Sequence, residues 1–114
     1  MAIAVPATRD TLANAYKALG TWISLHTLDP GQTGVSEATG GTPAYARKQT
    51  TWGASTAGAV TGTQVAIDAP AGNYPWAGLW SAASGGTFID KQALSGASLP
   101  VQGQILVTPT YTQL

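Results

Sequence analysis

Few residues in this chain have the types and spacing that chemistry requires. The only histidine, His26, stands three residues before Asp29, with Ser24, Ser36 and Glu37 close by in sequence. Serine, histidine and aspartate are the types of a nucleophile, the base that takes its proton and the carboxylate that orients the base. No Gly-x-Ser-x-Gly elbow accompanies them, and a triad is defined by geometry rather than by proximity in sequence. His26 is therefore expected to be a structural or interface residue that hydrogen-bonds the loop after it. Asp29 and Glu37 are also the types of a glycosidase pair, one protonating the leaving oxygen while the other activates water or attacks. Such a pair needs a cleft, and a short Gly- and Thr-rich chain has little length with which to build one. Asp29 is expected instead to cap its own turn by accepting backbone N–H groups, and Glu37 to pair with Arg47 or Lys48.

Other chemistries find less support. One histidine, no cysteine and no Asp-x-Asp spacing leave no zinc or calcium pattern. Neither Gly-x-Gly-x-x-Gly nor a Gly-Lys-Ser/Thr phosphate loop occurs. No catalytic residue, metal or cofactor is expected. The remaining candidates are aromatic: Trp22, Trp52, Trp76, Trp80, Tyr45, Tyr74 and Tyr111. Trp52 and Trp80 are expected in the core, because indoles are mostly buried. Tyr74 and Trp76 follow a Gly-Asn turn and are expected on a contact surface, where such rings bind neighbouring proteins or sugars.

Composition narrows the partners. The 114 residues carry five basic and five acidic side chains, a net charge of zero, and charged residues are only 9% of the chain. An ordinary soluble domain carries about 25%, so much of this surface must be Thr, Ser, Gly, Ala and Gln. Nucleic acid is not an expected partner, because phosphates demand clustered Lys and Arg. A weakly charged, neutral surface favours association instead. The start, MAIAVPATRD, lacks the basic and long apolar segments of a signal peptide. No apolar run approaches the roughly 20 residues of a membrane helix, and no membrane insertion is expected. The length suits one domain spanning 1–114.

The elements that would position these residues follow from periodicity. Ala7 to Leu19 is the one expected helix, with Pro6 before it, Thr8 or Asp10 as cap, and Leu12, Tyr16 and Leu19 as its inward stripe. From Thr21 the period becomes two, placing Ile23 and Leu25 inward and Trp22, Ser24 and His26 on the other face. Asp29-Pro30-Gly31 ends that strand, since Pro lacks a ladder donor and Gly accepts positive φ. The connection to a second strand, Tyr45 to Trp52, is some fifteen residues long, against a usual ~4–6. Loops of that length commonly form interfaces. Further strands are expected at Val60 to Ile67, bent near Gly62, and at Tyr74 to Trp80, where Gly78 between two indoles predicts something packed close over the backbone. Ser84-Gly85-Gly86 predicts a hairpin back into Thr87 to Ala93, and Gln104 to Thr112 closes the chain. Six or seven short strands and one N-terminal helix predict a mainly β fold, an antiparallel, jelly-roll-like β-sandwich.

Two stretches also resemble a known family. Leu25-His26-Thr27-Leu28-Asp29-Pro30-Gly31 with Glu37, Gly40-Gly41 and Tyr45-Ala46-Arg47 resembles small virion proteins of tailed bacteriophages, of the tail fibre and minor tail type. Gly78-Leu79-Trp80 with Ser84-Gly85-Gly86-Thr87-Phe88 is similar to a second signature of that family; Thr42-Pro43-Ala44, inserted before Tyr45, departs from it. The resemblance implies a non-enzymatic structural subunit in the virion, more often in the tail than on the head. Its partners would be copies of itself and other virion proteins, met through symmetric contacts. His26, Asp29, Pro30, Gly31, Glu37, Tyr45, Arg47, Tyr74 and Trp76 are the expected interface and loop residues. A carbohydrate-binding module using Trp76 and Tyr74 on host-surface glycans is the alternative from another class.

Overall fold

The computed structural model describes residues 2–114. They form one helix, α1 (Pro6–Leu19), and ten strands: β1 (Trp22–His26), β2 (Lys48–Gln49), β3 (Ala59–Thr61), β4 (Val65–Ala69), β5 (Gly72–Asn73), β6 (Trp76–Trp80), β7 (Phe88–Ala93), β8 (Ser98–Leu99), β9 (Gly103–Val107) and β10 (Thr110–Thr112). Every pairing is antiparallel. The pairs are nested: β6 with β7, β5 with β8, β4 with β9 and β3 with β10. That is one long two-stranded ribbon folded over itself, the scheme from which a jelly roll is wrapped. β1 then adds to the free side of β6, and β2 to β1, giving a four-stranded sheet in the order β2-β1-β6-β7. The fold is thus mainly β with one helix, as the periodicity predicts. The body is elongated, 46 × 25 × 24 Å.

The core lies between the four-stranded sheet and the β4–β9 pair. Ile23, Leu25, Ala77 and Leu79 from the sheet meet Val65, Ile67, Ile105 and Val107. Leu25 and Ile67 are fully enclosed, each contributing roughly 2 kcal/mol through the apolar area it removes from water.

The strands are shorter and more numerous than periodicity predicts, because Val60 to Ile67 and Gln104 to Thr112 each divide in two, β5 and β8 form outside the expected strands, and Tyr45 to Trp52 is trimmed. Val60 to Ile67 divides after Gly62: its N–H still bonds Pro109 O in the β3–β10 register, and the pairing then shifts by one residue before β4 meets β9. Of Tyr45 to Trp52 only Lys48–Gln49 pairs with β1, since the side chains of Tyr45 and Arg47 are drawn to Glu37.

Of the predicted stripe only Tyr16 packs against the core, so the helix is rotated from the expected orientation. Ala13 is the buried residue, while Leu12 and Leu19 are 41% and 53% exposed. Polar anchors fix this rotation: Asp10 Oδ1 accepts from Ser55 Oγ and from the Gly58 N–H, and Lys17 Nζ donates to Gly53 O. Neither Thr8 nor Asp10 caps the helix. Val5 occupies the cap position in an extended conformation without a side-chain bond, its carbonyl accepting from Thr8 and Arg9, and Pro6 sets the first turn.

Candidate functional site

The candidate site lies on the face of the four-stranded sheet that points away from the core. Side chains alternate along a strand, so Ser24, His26, Trp76, Gly78 and Trp80 share this face. Solvent does not reach most of it, because segment 27–47 and the 81–87 hairpin cover it. β1 is consequently buried on both sides, with Ser24 and His26 at 0% exposure.

The segment after β1 folds back as a tight return. Gly34 and Val35 N–H groups bond Pro30 O, Asp29 Oδ1 accepts the Gly31 N–H at 2.9 Å, and Thr27 N–H reaches Ser36 O. Glu37 then lies opposite His26, and Ala38 N–H bonds Leu25 O at 2.8 Å. β1 therefore has two separate partners along one edge: residues 36–38 beside its end and β2 beside its start. Between them the Leu25 N–H would be left without a carbonyl. The Tyr45 hydroxyl fills that gap, accepting from Leu25 N at 3.2 Å and donating to Glu37 Oε2 at 2.7 Å. Gly34 sits where any side chain would overlap the Trp80 ring, and its φ of +79° suits glycine.

Glu37 is the hub. Arg47 grips its carboxylate in bidentate fashion, Nε to Oε2 at 2.8 Å and Nη2 to Oε1 at 2.9 Å. The guanidinium also donates through Nη1 to Ala82 O and Gly85 O and stacks 3.7 Å over the Trp80 ring. One planar cation thus ties the long loop, the sheet and the hairpin together, which a lysine ammonium could not do. The residues that carry the sequence resemblance, Glu37, Tyr45, Arg47, Trp80, Gly85 and Phe88, meet here in one cluster.

His26 and Ser24 continue the cluster inward. Val35 O can only accept, so the His26 proton is on Nδ1, 2.8 Å away. Nε2 then accepts from Ser24 Oγ at 2.7 Å, and Ser24 Oγ accepts in turn from Trp80 Nε1 at 3.0 Å. The pair has the spacing of a nucleophile and its base. It is sealed beneath Gly78 and Phe88, with the serine oxygen already engaged by an indole. Asp29 takes no part: its carboxylate pairs with Lys91 at 2.6 Å on the surface. Lys91 Nζ also stands 5.0 Å over the ring of Trp76. Asp29, Lys91 and the half-buried Trp76 form the outer part of the site.

Charge in the site is set by burial and by neighbours. Burial pushes the Tyr45 hydroxyl well above its ordinary 10, helped by the Glu37 carboxylate, so it stays a donor. For Glu37, burial works to raise the pKa, but the bonds from Arg47 and Tyr45 outweigh it and hold the carboxyl below 4.5. Burial lowers His26 below 6.5, against the opposing effects of Val35 O and Glu37.

A pH prediction follows. The unfolded chain binds a proton at His26 that the folded chain disfavours, so the stability contributed by neutral His26 is complete above its ordinary pKa of 6.5 and falls as the pH drops through the lower folded value. Glu37 has the same sign at lower pH, its contribution complete above 4.5 and lost below. Urea denaturation at pH ~7.5 and ~5.5 is expected to show the chain losing stability over this window, and His26→Gln losing less. An equal loss in both would place the titrating group elsewhere.

Tyr74, expected on a contact surface, is core instead. It is 2% exposed, its hydroxyl donating to Pro70 O and its N–H to Ala97 O, because the β5–β8 pair swings it inward. Pro30 is buried as well, leaving Asp29 and Gly31 as the exposed residues of the turn. Trp80 is buried and Trp52 half-buried, its Nε1 donating to Gly20 O at the end of the helix. Sequence reading missed Ser24's bond to Trp80 and Lys91's to Asp29. Neither contact has a local signal, since 56 and 62 residues separate the partners.

The polar groups buried in this β-rich body are spent on fixing a loop. Residues 10–112 match the family described as Podophage GP4 fiber I protein gp80, and the chain belongs to that family. It is a family of phage fibre proteins, which makes this a virion structural protein. No curated protein and no solved structure matches the chain.

Proposed function

We propose that this chain is a non-catalytic structural subunit of the phage tail, fibre-associated or of the minor tail type, that works by packing against copies of itself and neighbouring tail proteins. The observation that carries this reading is the Arg47–Glu37–Tyr45–Trp80 lock, which gives segment 27–47 a fixed shape without leaving reactive groups accessible. A loop held in advance loses little entropy when it is covered by a partner. Its outer residues, Asp29 and Gly31 together with Trp76, are the proposed contact points, while His26, Pro30, Glu37, Tyr45 and Arg47 hold them in place. The glycan-binding alternative loses half its platform with Tyr74 in the core. Antibody labelling of purified particles, viewed by electron microscopy, tests the assignment. Label on the tail is the expected result; label confined to capsid faces would overturn it.

A further inference from the structure

The layers of the body are not joined along one side. β7 pairs only with β6 and β10 only with β3, so each keeps a free edge. A cleft of about 210 Å³ lies between them, and α1 contributes Tyr16 to its wall. Three half-buried rings line it: Tyr16 stacks on Tyr111 with centroids 3.6 Å apart and meets Trp52 edge-on at 6.0 Å. Gln92, exposed, stands where the cleft meets solvent. Asp90 is the one acidic residue of the lining. Alternation along β7 puts its side chain on the core side, opposite Leu79, and sends Lys91 to the other face, where its ammonium meets Asp29 and Trp76. Asp90 Oδ2 accepts from the Tyr16 hydroxyl and Oδ1 from the Lys91 N–H, each at 2.8 Å. Among the described residues the ion pairs are Glu37–Arg47 and Asp29–Lys91, and Asp90 is in neither. A half-buried carboxylate set among aromatic rings without a cation is an uncompensated charge.

We infer that this cleft binds an aliphatic ammonium group, such as a lysine side chain or a free alkylamine carries, with Asp90 as counter-ion and the rings of Tyr16, Trp52 and Tyr111 around it. Charge selects the class of ligand. The rings and the carboxylate both attract a cation, and the chain's own cations are engaged elsewhere: Arg47 with Glu37, Lys91 with Asp29 and Lys17 with Gly53 O. Burial and the Asp90 carboxylate push the Tyr16 hydroxyl well above its ordinary 10, so it stays a donor and leaves the carboxylate's charge to the ligand. Geometry narrows the class further. A metal ion such as calcium takes six to eight oxygen ligands, and this lining has a single carboxylate. A guanidinium grips both carboxylate oxygens at once, but here each already accepts one bond. A compact ammonium can approach one oxygen alone. The cleft is also smaller than the ~300–1,000 Å³ of sites for drug-sized ligands, which suits one amine-bearing chain.

Amide NMR titration of the whole chain with n-butylammonium, and separately with Nα-acetyl-lysine methylamide, tests this. Saturable shifts are expected at the Trp52 indole N–H and at the amides of Tyr16, Lys91 and Tyr111, with dissociation constants in the millimolar range. Neutral n-butanol is expected to bind at least ~10-fold more weakly, and Asp90→Asn to weaken both amines by at least ~10-fold. Gln92→Lys is the second variant, since it alters an exposed residue and leaves the core untouched. It places a tethered ammonium two residues from Asp90 on the same face of β7, and it is expected to keep the parent's thermal transition while abolishing the titration. Tighter binding of the lysine derivative would assign the cleft to a lysine of a neighbouring protein; tighter binding of butylammonium would assign it to a free amine. Butanol binding as well as butylammonium, shifts that persist in Gln92→Lys, or no saturable shift with either amine would overturn the site. The particle labelling does not depend on this cleft, so the tail assignment stands or falls separately.

Discussion

Arg47→Ala is expected to destabilise the fold by about 3 kcal/mol, the lower end of what removing one partner of a buried ion pair costs. Arg47 is 7% exposed at its side chain and Glu37 24%. Without the guanidinium the carboxylate keeps only the Tyr45 hydroxyl, and the Ala82 and Gly85 carbonyls lose their donor. Part of the effect is packing, since the Trp80 ring also loses the plane stacked on it. Arg47→Lys separates these contributions. A lysine supplies charge but neither the bidentate grip nor the stacked plane, and more than half of the loss is expected to remain. Urea denaturation gives the magnitude, and limited proteolysis shows where it acts: cleavage within 27–47 is expected to accelerate before the body unfolds. A loss below ~1 kcal/mol, as for an ordinary surface pair, would show that the loop is held by its backbone bonds alone.

How much of this could be read from sequence depends on the range of the interactions. The period-two alternation of Trp22 to His26 and Trp76 to Trp80 is local; it places Ile23 and Leu25 correctly on the core side, and it separates Ala77 and Leu79 from the tryptophan face without saying that theirs is the core side. The Asp29 turn and the Glu37–Arg47 pair were also legible, each joining groups within ten residues of one another. The orientation of the helix was not. Leu12, Tyr16 and Leu19 make an apolar stripe by spacing, but Ser55 and Gly58 decide its rotation from about 45 residues away by engaging Asp10. Tyr74 misleads for the same reason, its surroundings being set by the β5–β8 pairing. The double burial of β1 escapes a periodicity argument altogether. Alternation identifies two faces, but only the folded loop shows that neither faces water.

Gly78→Ala is expected to be at least as damaging as Arg47→Ala, through sterics alone. Gly78 lies on β6 opposite Ser24 on β1, under the Ser24–His26–Trp80 chain. A methyl group there would overlap Ser24 Oγ and stand 2.8 Å from both His26 Nε2 and Phe88 Cε1. None of these atoms ends a flexible side chain in open space. Relief requires the imidazole or the phenyl ring to leave its place, or β1 and β6 to separate. Overpacking of a filled site ordinarily costs about 1–3 kcal/mol, and with three fixed neighbours the top of that range is expected. Gly31→Ala provides the contrast. Its φ of +62° strains any other residue, but its Cβ would meet nothing within 4 Å, so only the left-handed backbone penalty of ~1–2 kcal/mol applies. Adding Ser24→Ala to Gly78→Ala removes the nearest overlap while leaving Trp80 Nε1 and His26 Nε2 without their partner. The double variant is therefore expected to recover only part of the loss in thermal and urea denaturation. If Gly78→Ala were milder than Gly31→Ala, Ser24, His26 and Phe88 would not be pressed against β6 at Gly78, and the closed network would be looser than its hydrogen bonds imply.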